Sequence, residues 1–212
     1  MVNSFKALIG VVGIGTVSTG IYLAIPSSKK SKALSIKERL QKSGYQLLNF
    51  SKEDSEHSTQ WTSVKEAYDK ETETSHRFSE VSQNNGNTIN GLKDACLVLV
   101  NRESDTSSDL EKARRWCVVP VTVASRVEGT LALLDTEGGS DSGTWTQKLN
   151  EHKNQSSGIP KMPITTNSSD VSDTDLKNKC KTLKDDKTFE KNFETLVSYF
   201  IDWCTKPKTT SN

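Results

Sequence analysis

Trp116-Cys117-Val118-Val119-Pro120 and Trp203-Cys204-Thr205-Lys206-Pro207 close two consecutive segments, 34–120 and 121–207, of 87 residues each. Reading back from these two endings, further pairs of markers fall at matching places. Cys96 and Cys180 each stand 35 residues after a tryptophan, Trp61 and Trp145. Each of those tryptophans has a ring at +7, Tyr68 and His152, and a Leu-Lys pair at +31, Leu92-Lys93 and Leu176-Lys177. Leu47-Leu48-Asn49 is answered by Leu133-Leu134-Asp135, and Ser35-Ile36-Lys37-Glu38-Arg39-Leu40 by Thr122-Val123-Ala124-Ser125-Arg126-Val127. The series uses all four Trp and all four Cys of the chain, so it reads as an internal duplication and not as one chance spacing. Duplicated positions of this kind preserve packing, which makes Trp61, Trp116, Trp145 and Trp203 the expected core markers of two small units.

Both units read as mainly α. Trp61, Val64 and Tyr68, then Ile89, Leu92, Cys96 and Val100, then Leu110, Ala113 and Cys117 recur at helical spacing. Phe189, Phe193, Leu196, Phe200 and Trp203 predict one long stripe stopped by Pro207. Ser35 with Glu38, Ser108 with Glu111 and Thr144 with Gln147 predict capped helix starts. Cys96 to Val100, Val118 to Val123 and Leu131 to Leu134 are short apolar pieces that leave a minor β contribution open. Ser, Gly and Asn gather in 51–58, 82–87, 135–143 and 155–173, and the last of these is expected to be poorly ordered.

The N-terminus differs from the rest. Ala7 to Ile25 is an uncharged, mostly apolar run between Lys6 and Pro26, and as a helix it approaches the roughly 30 Å of a hydrocarbon core. Residues 1–33 are therefore expected to hold a single transmembrane helix at 7–25 and a basic linker, with the bilayer as partner. An uncleaved anchor is favoured over a cleaved signal, since Val17 to Gly20 offers small residues, Ser18 and Gly20 at −3 and −1, but no clean A-x-A site. Lys29, Lys30 and Lys32 follow the helix, and by the positive-inside rule they would place the body inside, against anionic headgroups. Outside Lys6 the chain carries 27 basic and 27 acidic residues, so no basic surplus points to nucleic acid.

Chemistry is sparse. An even four cysteines would pair, in an oxidising exterior, as Cys96 with Cys117 and Cys180 with Cys204; four reduced, buried thiols are the other reading. His57, His76 and His152 lie singly and no C-x-x-C occurs, so no zinc set is present. Cys117 follows Arg114-Arg115, whose charge would favour a thiolate, but its counterpart Cys204 follows Ile201-Asp202 and no Cys/His pair is shared. Gly138-Gly139-Ser140-Asp141-Ser142-Gly143 lacks the Lys-Ser/Thr of a phosphate loop. No catalytic residue, cofactor or metal is expected.

An apolar N-terminal run, Arg114-Arg115-Trp116-Cys117-Val118-Val119-Pro120, Leu133-Leu134-Asp135 ahead of a Trp helix, and a closing Asp202-Trp203-Cys204-Thr205 together resemble a large paralogous family of haemotropic mycoplasmas, over nearly the whole length. The resemblance implies a small membrane-anchored or surface protein of a wall-less cell, suspected of antigenic variation, and it transfers no catalytic role. The combined expectation is a membrane-anchored, non-enzymatic, surface-displayed protein with repeat units at 34–120 and 121–207 and a tail at 208–212. An inward-facing scaffold, or an anionic-lipid interaction protein, held by the same helix is the alternative.

Overall fold

The computed structural model describes residues 34–103, 106–154, 158–165 and 170–208. The run Ala7–Ile25, the cluster Lys29, Lys30 and Lys32 and residues 209–212 lie outside them. No helix among the described residues is long and apolar enough to cross a membrane.

The architecture is mainly helical. The first half holds α1 (Ile36–Lys42), α2 (Ser58–Lys70), α3 (Thr88–Val100) and α4 (Ser107–Trp116). The second holds α5 (Ser142–Asn154), α6 (Asp173–Leu183) and α7 (Phe193–Cys204), with a 3-10 turn at Ala124–Arg126 where the first half has α1. The β contribution among the described residues is one antiparallel pair, β1 (Leu131–Leu133) on β2 (Thr205–Pro207), with Leu133 opposite Thr205. The matching place in the first half carries only an isolated bridge, Leu47 to Val118. The described residues, 34–208, fall in one compact unit, so the two halves share a body.

The duplicated sequence makes duplicated connections. The Trp61 indole N–H donates to Asn49 O at 2.9 Å and the Trp145 indole to Asp135 O at 2.8 Å. The terminal tryptophans do the same: Trp116 donates to His76 O at 2.7 Å, Trp203 to Pro160 O at 3.0 Å. Leu48 N donates to Cys117 O and Leu134 N to Cys204 O, both at 3.0 Å. Ile36 N reaches Arg102 O, and Val123 N reaches Asp186 O, so each half also ties its start to the segment after its Cys-bearing helix. Cys96 is bonded to Cys117 and Cys180 to Cys204, with Cα–Cα distances of 5.4 and 5.6 Å, joining α3 to the end of α4 and α6 to the end of α7. All four tryptophans are at most 1% exposed. A buried indole needs an acceptor for its N–H. Each loop that supplies one is thereby pinned to a helix.

The helix starts follow local chemistry, with corrections. Ser35 and Glu38 form a reciprocal cap, Glu38 N to Ser35 Oγ at 3.3 Å and Ser35 N to Glu38 Oε2 at 2.8 Å. Ser172 and Asp175 form another that the E/Q pattern did not reveal, because aspartate takes the glutamate's part. Ser108 caps nothing: α4 starts at Ser107, and Glu111 accepts instead from Asn192 N at 3.0 Å. Thr144 likewise lies inside α5, whose first turn is closed by Trp145 N on Asp141 O. The terminal stripe is shorter than its spacing predicts. Asn192 has a left-handed backbone, φ 58°, which separates Phe189 from α7, and the helix ends at Cys204, where the chain enters β2.

The 155–173 segment was expected to be poorly ordered; within it, the described residues Pro160 to Met162 are fastened to the body although most of their neighbours are exposed. Met162 is 1% exposed, its carbonyl meets His152 Nε2 at 3.0 Å, and Pro160 O receives the Trp203 indole. A segment poor in apolar residues is thus fixed by its carbonyls, which act as acceptors for buried donors.

Trp61→Phe and Trp145→Phe should therefore cost comparable amounts, about 2–4 kcal/mol each, since each removes a buried donor and leaves a carbonyl unpaired in a cavity. Urea unfolding of both variants checks this. A neutral result for either one would show that the two halves are not built alike.

Candidate functional site

The four cysteines carry no free thiol among the described residues. Cys117 is bonded to Cys96, so Arg114 and Arg115 do not serve a thiolate. They cross instead to the second half. Arg114, 5% exposed, donates from Nη1 to Thr188 O at 2.8 Å and from Nη2 to Glu190 O at 3.4 Å. Arg115, 6% exposed, donates from Nε to Phe189 O at 2.6 Å and pairs through Nη2 with the Glu71 carboxylate. The segment 188–190 carries few apolar side chains, and its carbonyls are held by fixed guanidinium donors. Burial lowers the Arg114 pKa from its ordinary value. This is the mark of a cation taken out of water with a nearest carboxylate, Glu111, at 3.6 Å. Ile201 and Asp202 hold the matching positions in the second half, and Ile201 stays 40% exposed. The clasp therefore has no counterpart in the second half.

A second set of crossings lies beside it. The Tyr45 hydroxyl donates to the Glu194 carboxylate, and burial, followed by that carboxylate, pushes the phenol well above its ordinary range. Arg126 donates from Nη2 to Ser43 O at 2.7 Å and lies over the Tyr45 ring, 4.5 Å from its centroid. Gly44, between those two residues, has φ +78°, and a Cβ there would come within 3.3 Å of the Arg126 guanidinium. The turn thus needs glycine twice over, for its backbone and for the approach of the arginine. These groups, with Arg39, Leu110 and Arg114, line a cavity of about 490 Å³ at the seam of the two halves.

The histidines are not isolated in polar surroundings, as their neighbours in sequence suggest. His152 is 4% exposed and stands edge-on to Trp203, centroids 5.1 Å apart, just as Tyr68 stands to Trp116 at 5.1 Å. His57 Nδ1 accepts from Asn49 N at 3.0 Å, and His76 lies 3.4 and 3.3 Å from Glu71 and Glu73. Among the described residues no three His, Cys, Asp or Glu side chains are grouped to hold a metal ion.

The predicted tryptophan and cysteine markers thus all fall in the two packed nodes, while the clasp is built from Arg114 and Arg115, which have no counterpart in the repeat pattern. Arg114 and Arg115 could have been found as the place where the two copies differ in charge. Comparison with protein-family models, with characterised proteins and with solved structures finds no match to this chain.

Two outcomes follow from the clasp. Arg115→Leu strands a carboxylate and a carbonyl that are largely buried, and should lower stability by about 3 kcal/mol in urea unfolding; unchanged stability contradicts the clasp. Burial alone would raise the Glu71 pKa, but the Glu73 backbone N–H and the Arg115 guanidinium together hold it below its ordinary 4.5. A carboxyl depressed in the folded state stabilises above its unfolded pKa and loses that contribution as pH falls through the folded value. Stability should therefore decline below about pH 4.5, and Glu71→Gln should flatten the decline; an equally steep fall in the variant removes Glu71 from the account.

Proposed function

We propose that this chain is a membrane-tethered, non-enzymatic protein that displays its two-part helical body on the outer face of the cell. The observation that carries this reading is the pair of disulfides, Cys96–Cys117 and Cys180–Cys204. Such bonds form and persist in oxidising surroundings and are rare in a reducing cytosol. Residues 7–25 supply the tether, as an uncharged apolar run of bilayer length. The sequence resemblance to surface proteins of haemotropic mycoplasmas supports the same location.

A display role suits the division of labour within the body. Rigid, disulfide-closed nodes carry polar loops at 51–56, 82–87 and 135–140, whose side chains are mostly exposed. Such loops tolerate change because the backbone that holds them is fixed by tryptophan and cysteine. The partner so presented is a host or membrane component, and no residue is cast in a catalytic role.

The second reading, an inward-facing scaffold on anionic lipid, is favoured by one observation, the lysines Lys29, Lys30 and Lys32 after the apolar run. Labelling intact cells with a membrane-impermeant amine reagent separates the two. Modification of body lysines such as Lys37, Lys70 and Lys153 is the expected result, and protection of every lysine beyond residue 32 until the cells are lysed would overturn outward display.

A further inference from the structure

We propose that the cavity between the 74–80 segment and the facing sides of α3 and α4 binds a phosphate group, with Arg77, Arg102 and Lys112 as its charged anchors. All three line this one space of about 320 Å³. They reach it from three places: Arg77 from the 74–80 segment, Arg102 from the turn after α3 and Lys112 from α4. The shared packing of the two halves does not call for them. The carbonyl just before Arg77 receives the Trp116 indole as the carbonyl just before Lys161 receives that of Trp203, so Arg77 matches Lys161. Arg102 O receives Ile36 N as Asp186 O receives Val123 N, so Arg102 matches Asp186. Lys112 precedes Trp116 by the interval at which Tyr199 precedes Trp203. The second half thus keeps the frame and one of the three cations.

These cations are not consumed by structural ion pairs. Among the described residues no ion pair joins Arg77, Arg102 or Lys112 to a carboxylate, whereas Glu71 takes Arg115 and Glu111 takes Arg114. The two acidic residues at the cavity are both engaged: Glu80 accepts from Ser79 Oγ at 2.9 Å, and Asp109 has a partner as well. Arg77 donates through Nη1 to the Gln83 side chain, while its Nε is buried with no hydrogen-bond partner, a costly state for a guanidinium N–H that an oxyanion would relieve. Thr74 and Ser75 add hydroxyl donors to the lining. Donors converging from several directions suit a tetrahedral anion with an oxygen for each, and planar guanidinium groups are suited to phosphate. The segment that carries Arg77 is also fixed in advance, since His76 O receives the Trp116 indole at 2.7 Å and Phe78 N donates to the Tyr68 hydroxyl at 3.0 Å. Val98, 57% exposed, lines the same space, and Leu97 beside it is 51% exposed, so the mouth has a hydrocarbon rim that a phospholipid headgroup would meet and a free phosphate would not use. The site lies wholly within the folded body, so its failure leaves the membrane-tethered reading untouched.

Isothermal titration of the purified full-length chain in neutral detergent, at fixed sodium chloride, tests it with two probes: inorganic phosphate, and glycerophosphoglycerol, a phospholipid headgroup without its acyl chains. Saturable binding is expected, weakened about tenfold or more in the double variant Arg102→Gln with Lys112→Gln, and unchanged in Lys70→Gln, a cation outside the cavity. Tighter binding of the diester assigns the site to a lipid headgroup and tighter binding of inorganic phosphate to a soluble phosphate; either upholds it. Near-ultraviolet circular dichroism, which reads the buried tryptophans, checks that the variants are folded, and if the double variant is not, Arg102→Gln decides alone, its side chain being exposed. No saturable binding of either probe, unchanged affinity in the folded variant, or an equal loss in Lys70→Gln overturns the proposal.

Discussion

The body of this protein depends on a tryptophan and a cysteine placed side by side at the end of each half. At Trp116-Cys117 and Trp203-Cys204 one turn of chain supplies a disulfide to the preceding Cys-bearing helix, an indole donor to a distant loop carbonyl and a backbone carbonyl that receives the Leu48 or Leu134 amide. A chain that is only 33% hydrophobic cannot order its long polar loops by apolar burial alone. It orders them by donors that have no other acceptor. The disulfides act on the other side of the balance, since closing loops of 21 and 24 residues restricts the unfolded chain by roughly 3 kcal/mol each in a chain-entropy model.

On that repeated frame the two copies have specialised. Trp61 and Trp145 keep the same acceptors, and Tyr68 and His152 keep the same edge-on contact with the terminal tryptophan, although one is a phenol and the other an imidazole. What matters at that position is a flat ring with a polar atom at its edge. The phenol of Tyr68 bonds Phe78, the imidazole of His152 bonds Met162, and each ties down the loop that follows its helix. The seam shows the opposite behaviour. Arg114 and Arg115 hold the second half by its carbonyls, while Ile201 and Asp202 at the equivalent place hold nothing comparable and leave Ile201 40% exposed. A one-way contact of this sort gives one compact unit of two copies in place of two beads on a string.

Much of this was legible in the sequence because the rarest residues carried it. Four tryptophans and four cysteines at matched offsets define the nodes, and Ser35 with Glu38 defines the first helix. Where the sequence misled, a local pattern was overruled by a long-range partner. Glu111 looks like half of a cap and serves Asn192; Thr144 looks like a cap and lies within a turn begun by Ser142; Phe189 fits the helical stripe but lies before the left-handed Asn192, on the clasp. The packed Pro160 to Met162 segment was opaque for a related reason, because its hold comes from backbone carbonyls that no side-chain pattern records. The seam cavity was equally hidden: its arginines stand far apart in sequence, and only the docking of the halves brings Arg39 and Arg126 to one space.

These elements form one account, in which two disulfide-closed copies of a helical node present polar loops and enclose a charged seam. Peptide mapping by mass spectrometry after digestion without reductant, on protein alkylated as it is isolated from its native cells, tests its centre most directly. The account predicts two cross-linked species, one joining the peptides of Cys96 and Cys117 and one joining those of Cys180 and Cys204. Four alkylated cysteines, or a bond joining a cysteine of one half to a cysteine of the other, would contradict it.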